Sequence, residues 1–201
     1  MEPLPKLWLA SQSPRRKSLL ENLGLTFEVR IATDVTEAHP IGSSVDAVIV
    51  DNALRKANAI VGHLGLVPDI VVGADTLVVV DDEALGKPAD AEEVKRTLRK
   101  LSGRTHYVVT GLALVSATLG YRKTAVRTAI RFRQISEKEV AEYASIREPY
   151  DKAGSYAIQG VASLFVAGVE GSYSNVVGLP IEQFLKDLTE LSKVPLARWF
   201  A

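Results

Sequence analysis

Residues 70–80 read IVVGADTLVVV, two β-branched apolar runs either side of Gly73-Ala74-Asp75-Thr76. Apolar side chains at both parities suit a strand buried on both faces, here one interrupted by the polar step at 73–76. An acid at or near the end of such a strand is costly to bury unless it is paired, hydrogen-bonded or bound to a metal. Asp75 therefore has two readings. It opens a turn with Thr76, as Asp commonly does, or it is a functional carboxylate.

Outward from this stretch, strands and helices alternate. Residues 44–63 carry Val45, Val48, Leu54, Ala57, Ile60 and Val61 at helical spacing, with Leu64 just beyond. Further upstream, residues 6–10 predict a short buried strand and residues 27–32 a second one. Between them Ser13 suits an N-cap and Pro14 a first helical position, with Leu19, Leu20 and Leu23 as the apolar stripe and Gly24 as the stop. Downstream, Asp90-Ala91-Glu92-Glu93 predicts a capping box and a helix ending near Ser102-Gly103. Residues 107–117 and 121–133 predict a hairpin turning at Thr118-Leu119-Gly120. Ser136 with Glu139 caps a helix to about residue 146, a strand follows near 164–169, and Pro180 begins a last helix reaching about residue 191. Alternation with one central hairpin predicts an α/β fold with a mixed sheet.

The chain has 201 residues, 47% hydrophobic and 24% charged, enough for one sizeable core or two lobes and too apolar for disorder. Lys plus Arg equals Asp plus Glu at 24 each, so there is no global basic field to hold a nucleic acid, and any anion site must be local. The absence of cysteine excludes disulfides, thiolate metal sites and cysteine nucleophiles. Three scattered histidines make a zinc site improbable. The first residues lack the apolar run of a signal peptide, and the longest apolar runs are strand-sized, so the expectation is a cytoplasmic protein without a membrane span.

Polar or glycine-rich interruptions at 11–16, 73–76, 86–88, 148–160 and 171–180 fall at element ends, where α/β folds place ligands. Arg15 and Arg16 begin a helix, where the dipole disfavours cations by roughly 0.3–1 kcal/mol, and an anion is the natural compensation. Lys56, Lys87 and Lys152 are each an ordinary surface lysine when taken alone. Gathered with the two arginines they would supply the charge a triphosphate needs. Glu37 lies in a polar segment after a strand and, taken alone, is a solvated acid. Glu37 and Asp75 together are a donor pair of the kind Mg²⁺ uses with water and phosphate. His106 is a site histidine or an ordinary strand residue. Neither GxxxxGK[ST] nor a strand-linked GxGxxG nor GxSxG occurs, which excludes P-loop, Rossmann and hydrolase-elbow readings by motif.

The segments SQSPRRKSLL, VVGADTLVV with LGKP, LSGRTHYVVTG, EPYDKAGSYAIQG and GSYSNVVGLP together resemble the Maf family, the septum-formation-type nucleoside triphosphate pyrophosphatases. The similarity spans about residues 7–185, with the motifs in order. It implies a single domain over 1–201 with an inosine-triphosphate-pyrophosphatase-like fold, a mixed twisted sheet whose helices form two lobes around a cleft. It also implies hydrolysis of a nucleoside triphosphate to monophosphate and pyrophosphate with a divalent cation, Mg²⁺ or Mn²⁺, and often a homodimer. The SPRR form, the Thr after Asp75 and the Gln of YxIQG are similar to the branch that prefers dTTP and UTP. The alternatives are a pyrophosphatase of the same fold for CTP or methylated GTP, and a nucleotide-sensing regulator of septum formation.

Carried over by position, the resemblance makes Asp75 the proton acceptor and Arg15, Thr76 and Gln159 specificity positions. Ser11, Arg16, Lys56, Lys87 and Lys152 become phosphate or substrate ligands, Glu37 with Asp75 the metal ligands, and Asp151 a further cleft residue. Gln159 offers donor and acceptor to a pyrimidine edge. The apolar tail VPLARWFA is left to pack either on the body or at an interface.

Overall fold

A computed structural model describes residues 3–31, 33, 35–40 and 44–200. Its strands are β1 (Leu7–Leu9), β2 (Glu28–Val29), β3 (Ile70–Val80), β4 (Glu83–Leu85), β5 (Thr105–Ser116), β6 (Gly120–Phe132) and β7 (Val166–Glu170). The helices are α1 (Pro14–Asn22), α2 (Val45–Val61), α3 (Ala91–Leu101), α4 (Glu137–Ala144), α5 (Tyr173–Val177) and α6 (Ile181–Ser192). The sheet order is β2-β1-β3-β5-β6-β7, with β4 paired to β3. β1 runs parallel to β2 and β3, whereas β4 is antiparallel to β3 and β7 to β6, so the sheet is mixed, as an α/β reading requires.

The chain divides into two compact units, Met1–Asp75 with Thr110–Val126 and Gly178–Ala201, and Thr76–Val109 with Arg127–Val177. In the first unit the alternation of β3 assigns its side chains to two layers. Ile70, Val72 and Ala74 pack with Leu7 and Leu9 of β1, Leu112 and Leu114 of β5, Leu20 of α1, and Phe184, Leu188 and Leu191 of α6. Val71 packs on the opposite side with Ala113 and Val115 of β5 and Ala53, Ala57 and Ile60 of α2. Gly73 and Asp75 share the parity of Val71, so they face α2.

Two missing side chains set how closely α2 lies on the strands. A Cβ at Gly73 would stand 2.1 Å from the Ala53 carbonyl oxygen, and one at Gly111 would stand 2.3 Å from that of Ile49. Either is inside van der Waals contact, so any larger residue would push the helix outward. The buried face of α2 consists of Val45, Ile49, Asn52, Ala53, Ala57 and Ile60. The expected stripe named Val45, Ala57 and Ile60 correctly. Val48, Leu54, Val61 and Leu64 are only partly buried.

The second unit has one core. Val78 and Val80 of β3, Leu85 of β4, Val94, Leu98 and Leu101 of α3, Val140 and Tyr143 of α4, and the rings of Phe132, Tyr156 and Phe165 share it. α3 begins where Asp90 accepts from the Glu93 amide at 2.8 Å; the Glu93 carboxylate bonds the Ala89 amide at 2.8 Å, so only half of the expected reciprocal box forms. At α4 the full box forms, the Ser136 hydroxyl and Glu139 carboxylate each bonding the other's amide.

Several expectations change. β3 is continuous from Ile70 to Val80, so Gly73–Thr76 does not interrupt it and Asp75 lies inside the strand, not at its end. Pairing of residues 70–72 with β1 and of 78–80 with β4 brackets this stretch, and β5 lies alongside the same strand, so sheet context overrides the weak strand propensity of Gly, Ala and Asp. β2 is a two-residue strand within the expected 27–32, of which Ala32 lies outside the described residues. Ser13 occupies the N-cap of α1, yet its side chain makes no capping bond. α5 forms inside GSYSNVVGLP, and Pro180 is the N-cap of α6 rather than its first residue. The tail packs within its own unit, with Trp199 only 7% exposed.

Candidate active site

In the first unit, α2 and β3 build the centre of the site. Asp75 is 7% exposed and both its oxygens are bonded. Oδ1 accepts from the Lys56 ammonium at 3.0 Å and Oδ2 from the Asn52 amide at 2.8 Å. Asn52 and Lys56 are one helical turn apart on α2, so both reach the same carboxylate. The Lys56 ammonium also meets the Glu37 carboxylate at 2.6 Å and the Ala74 carbonyl at 3.4 Å. One cation thus draws two carboxylates together. A buried acid in an apolar strand is tolerated here because its partners are charged or strong donors.

The start of α1 adds the second positive group. Arg16 donates to the Gly178 carbonyl at 2.7 Å and to the Ser11 hydroxyl at 3.2 Å, and that hydroxyl also accepts from the Ser13 amide at 3.2 Å. Burial lowers the guanidinium below its ordinary value, the Asp75 and Glu37 charges oppose that, and neighbouring Arg15 adds to it. Of the two arginines at this helix start, Arg16 is therefore compensated in part by the protein's own carboxylates. Ser11, Arg16, Glu37, Lys56 and Asp75 are brought together, while Arg15 is the half-buried second residue of α1.

The remaining expected residues belong to the second unit. Lys87 is exposed on the turn after β4, and the carbonyl of adjoining Gly86 accepts from the Gly154 amide at 3.0 Å, which fixes that turn beside the Lys152 segment. Lys152 is largely buried and paired with neighbouring Asp151. Gly154 has φ +68° and no room for a Cβ, which would stand 2.6 Å from Val78. Thr76 is half-buried on β3 and Gln159 is exposed.

The backbone just past Gln159, at Val161 and Ala162, is held by a residue to which the motifs give no role. The Glu148 carboxylate accepts from the amides of Val161 at 2.7 Å and Ala162 at 3.2 Å, and from the Tyr143 hydroxyl at 2.9 Å. A Cβ at Gly160 would stand 2.1 Å from that carboxylate, so a larger residue there would displace it. His106 resolves as a core residue. It is fully buried, its Nε2 lies 2.7 Å from the Tyr156 hydroxyl, and its ring packs edge-on against Phe132 and Tyr156. Burial holds it at about 4, well below the ordinary histidine value. Asn52 was also passed over in the sequence, although a polar residue in the buried stripe four positions before Lys56 was a legible signal.

The fold is thus a mixed α/β sheet, and its first unit carries a carboxylate–ammonium–carboxylate cluster of Asp75, Lys56 and Glu37. The Maf-like protein family model matches residues 6–191, and the chain belongs to this family. A dTTP/UTP pyrophosphatase of Desulfitobacterium hafniense (strain Y51) is 48% identical over 180 residues, covering 88% of this chain and 81% of the relative. A dTTP/UTP pyrophosphatase of Bacillus cereus (strain G9842) is 41% identical over 190 residues, covering 93% and 96%. Among solved structures, a HAM1 protein from Coxiella burnetii is 16% identical with a TM-score of 0.48, covering 97% of this chain and 96% of that one. Among the described residues no helix is long and apolar enough to cross a membrane.

Proposed function

We propose that the chain hydrolyses dTTP and UTP to the monophosphate and pyrophosphate, with Asp75 as proton acceptor. The observation that carries this reading is the Asp75 carboxylate, buried in β3 yet held ionically by Lys56 and by the Asn52 amide. The names of relatives at 41–48% identity support the substrate class. A carboxylate has about four lone-pair sites, so each oxygen retains acceptor capacity beyond the bond it makes. Water attacks phosphorus at the α–β anhydride, its proton passes to Asp75, and the bridging P–O bond breaks with its electrons leaving on pyrophosphate. Arg16 and Lys56 neutralise phosphate oxygens, as do Lys87 and Lys152, with Ser11 as a hydrogen-bonding ligand. Arg15, Thr76 and Gln159 select the base, and Asp151 keeps the Lys152 ammonium oriented.

The donor set suits a divalent cation. Glu37 and Asp75 already share one cation, the Lys56 ammonium, at 2.6 and 3.0 Å, and both offer oxygen. Mg²⁺ takes one or two carboxylates and fills its other positions with water and phosphate. Glu37 and Asp75 would hold it, and when bound it would polarise the phosphoryl group and acidify water. A nucleotide panel with Mg²⁺, reading pyrophosphate and monophosphate, tests the assignment. dTTP and UTP are expected to turn over at least tenfold faster than dATP and dGTP. A purine preference, or faster turnover of CTP or methylated GTP, overturns the substrate choice.

A further inference from the structure

Position 52 lies in the buried stripe of α2, where an aliphatic side chain would pack with no polar group to satisfy. It holds an asparagine, 1% exposed. A buried amide is costly unless its donors and acceptor are used. All are used. Oδ1 accepts from the Ala38 amide at 2.8 Å, and Nδ2 donates to the Ala38 carbonyl at 2.9 Å and to Asp75 Oδ2 at 2.8 Å. These contacts also decide the amide's orientation, since a flipped group would set its NH₂ against the Ala38 N–H and its oxygen against the carboxylate.

The two bonds to Ala38 clamp the backbone immediately after Glu37, while the third grips the carboxylate inside β3. Lys56 joins the carboxylates of Glu37 and Asp75 through their tips, but the Glu37 side chain is about half exposed. Only the Asn52 contacts tie the Glu37 segment to Asp75 through backbone among these described bonds. We propose that Asn52 is a positioning residue, one amide that sets the Asp75 carboxylate and the Glu37–Ala38 backbone in fixed relation so that both acids present oxygen to the same cation. This deepens the reading of Asp75 and Glu37 given above and rests on it.

The test uses Asn52→Leu, which keeps the branching and heavy-atom count and removes all three bonds, and Asn52→Asp, which keeps the acceptor for the Ala38 amide and loses the donors to the Ala38 carbonyl and to Asp75. Three readouts are taken on the full chain: hydrogen exchange of the peptide spanning residues 35–40, Mn²⁺ binding by electron paramagnetic resonance without nucleotide, and steady-state kinetics with dTTP. Asn52→Leu is expected to speed exchange at 35–40 at least tenfold and to weaken Mn²⁺ binding at least tenfold. It should lower kcat at least tenfold with the nucleotide KM within threefold. Placed on Glu37→Gln, it should weaken Mn²⁺ binding little further, because the two changes remove one arrangement. Exchange and kcat within threefold of the parent overturn the proposal, and so does a fully additive loss on Glu37→Gln, which would mark mere packing. If Asn52→Leu does not fold, Asn52→Asp decides by the same kinetic threshold. If Glu37→Gln and Asp75→Asn both leave Mn²⁺ binding intact, the metal reading falls, and exchange with kcat still decides the role of Asn52.

Discussion

Each unit buries a titratable side chain in a strand, and the two do so by opposite means. In the first, Asp75 is surrounded by an ammonium, an amide and a second carboxylate. In the second, His106 is surrounded by the rings of Phe132 and Tyr156, touches one neutral hydroxyl, and leaves its buried Nδ1 without a hydrogen-bond partner among the described residues. Charge is compensated in one place and suppressed in the other. The contrast separates a carboxylate held among charged and polar partners, the group proposed above to accept a proton, from a histidine kept neutral as part of a core. Burial alone did not distinguish them; the identity of the partners did.

The largest expected effect breaks the first cluster. Asp75→Asn keeps the shape and the hydrogen-bonding reach of the side chain but removes the proposed proton acceptor, and kcat/KM for dTTP should fall by about 10³, in the range seen for general acid–base groups. Circular dichroism should show the fold retained. Turnover within tenfold of the parent would make Asp75 a structural acid and erase the contrast.

The second test acts on His106. Its proton is lost at about 4 in the folded state against 6.5 when unperturbed, so between those values the unfolded chain binds more protons than the folded one. The folded state is therefore favoured above pH 6.5 and loses about 3 kcal/mol on the way down to pH 4, at roughly 1.4 kcal/mol for each step of one in pH. Denaturant titrations across that window should show this slope in the parent and its absence in His106→Phe, even though the variant starts lower because Tyr156 loses its partner. An unchanged slope in the variant would mean that His106 is not the neutral core group inferred here.

A smaller effect sharpens the comparison within the second unit. Glu148→Gln puts an NH₂ where an amide or hydroxyl donor now finds a carboxylate oxygen, at a cost of about 1–2 kcal/mol. Because the amide donors lie two and three residues beyond Gln159, the KM for dTTP should rise severalfold with kcat little changed. Equal loss of kcat and no change in KM would detach Gln159 from base selection.

Much of the fold was legible in residue order. The capping pair Ser136 and Glu139, the hairpin around Gly120 and the helix after Asp90 are local signals, completed within one turn of backbone, and all three formed as expected. The expected acids and lysines of the first unit were also legible from motif similarity. Asn52 shows in the sequence only as a polar residue in an apolar stripe, and its partners, like the backbone amides that Glu148 holds, lie 13 to 23 residues away, where periodicity reports only which face a side chain occupies.

By itself the sequence determined the alternation of strands and helices, membership of the Maf family and the stock of charged groups at the element ends. Tertiary structure decided that Asp75 stands inside a continuous strand, that Lys56 and Asn52 share it, and that His106 belongs to a core. The physical reason is helix-on-strand approach. Gly73 and Gly111 let α2 lie against β3 and β5 with no Cβ between, and that closeness, which no local pattern encodes, is what puts an ammonium and an amide within bonding distance of a buried carboxylate.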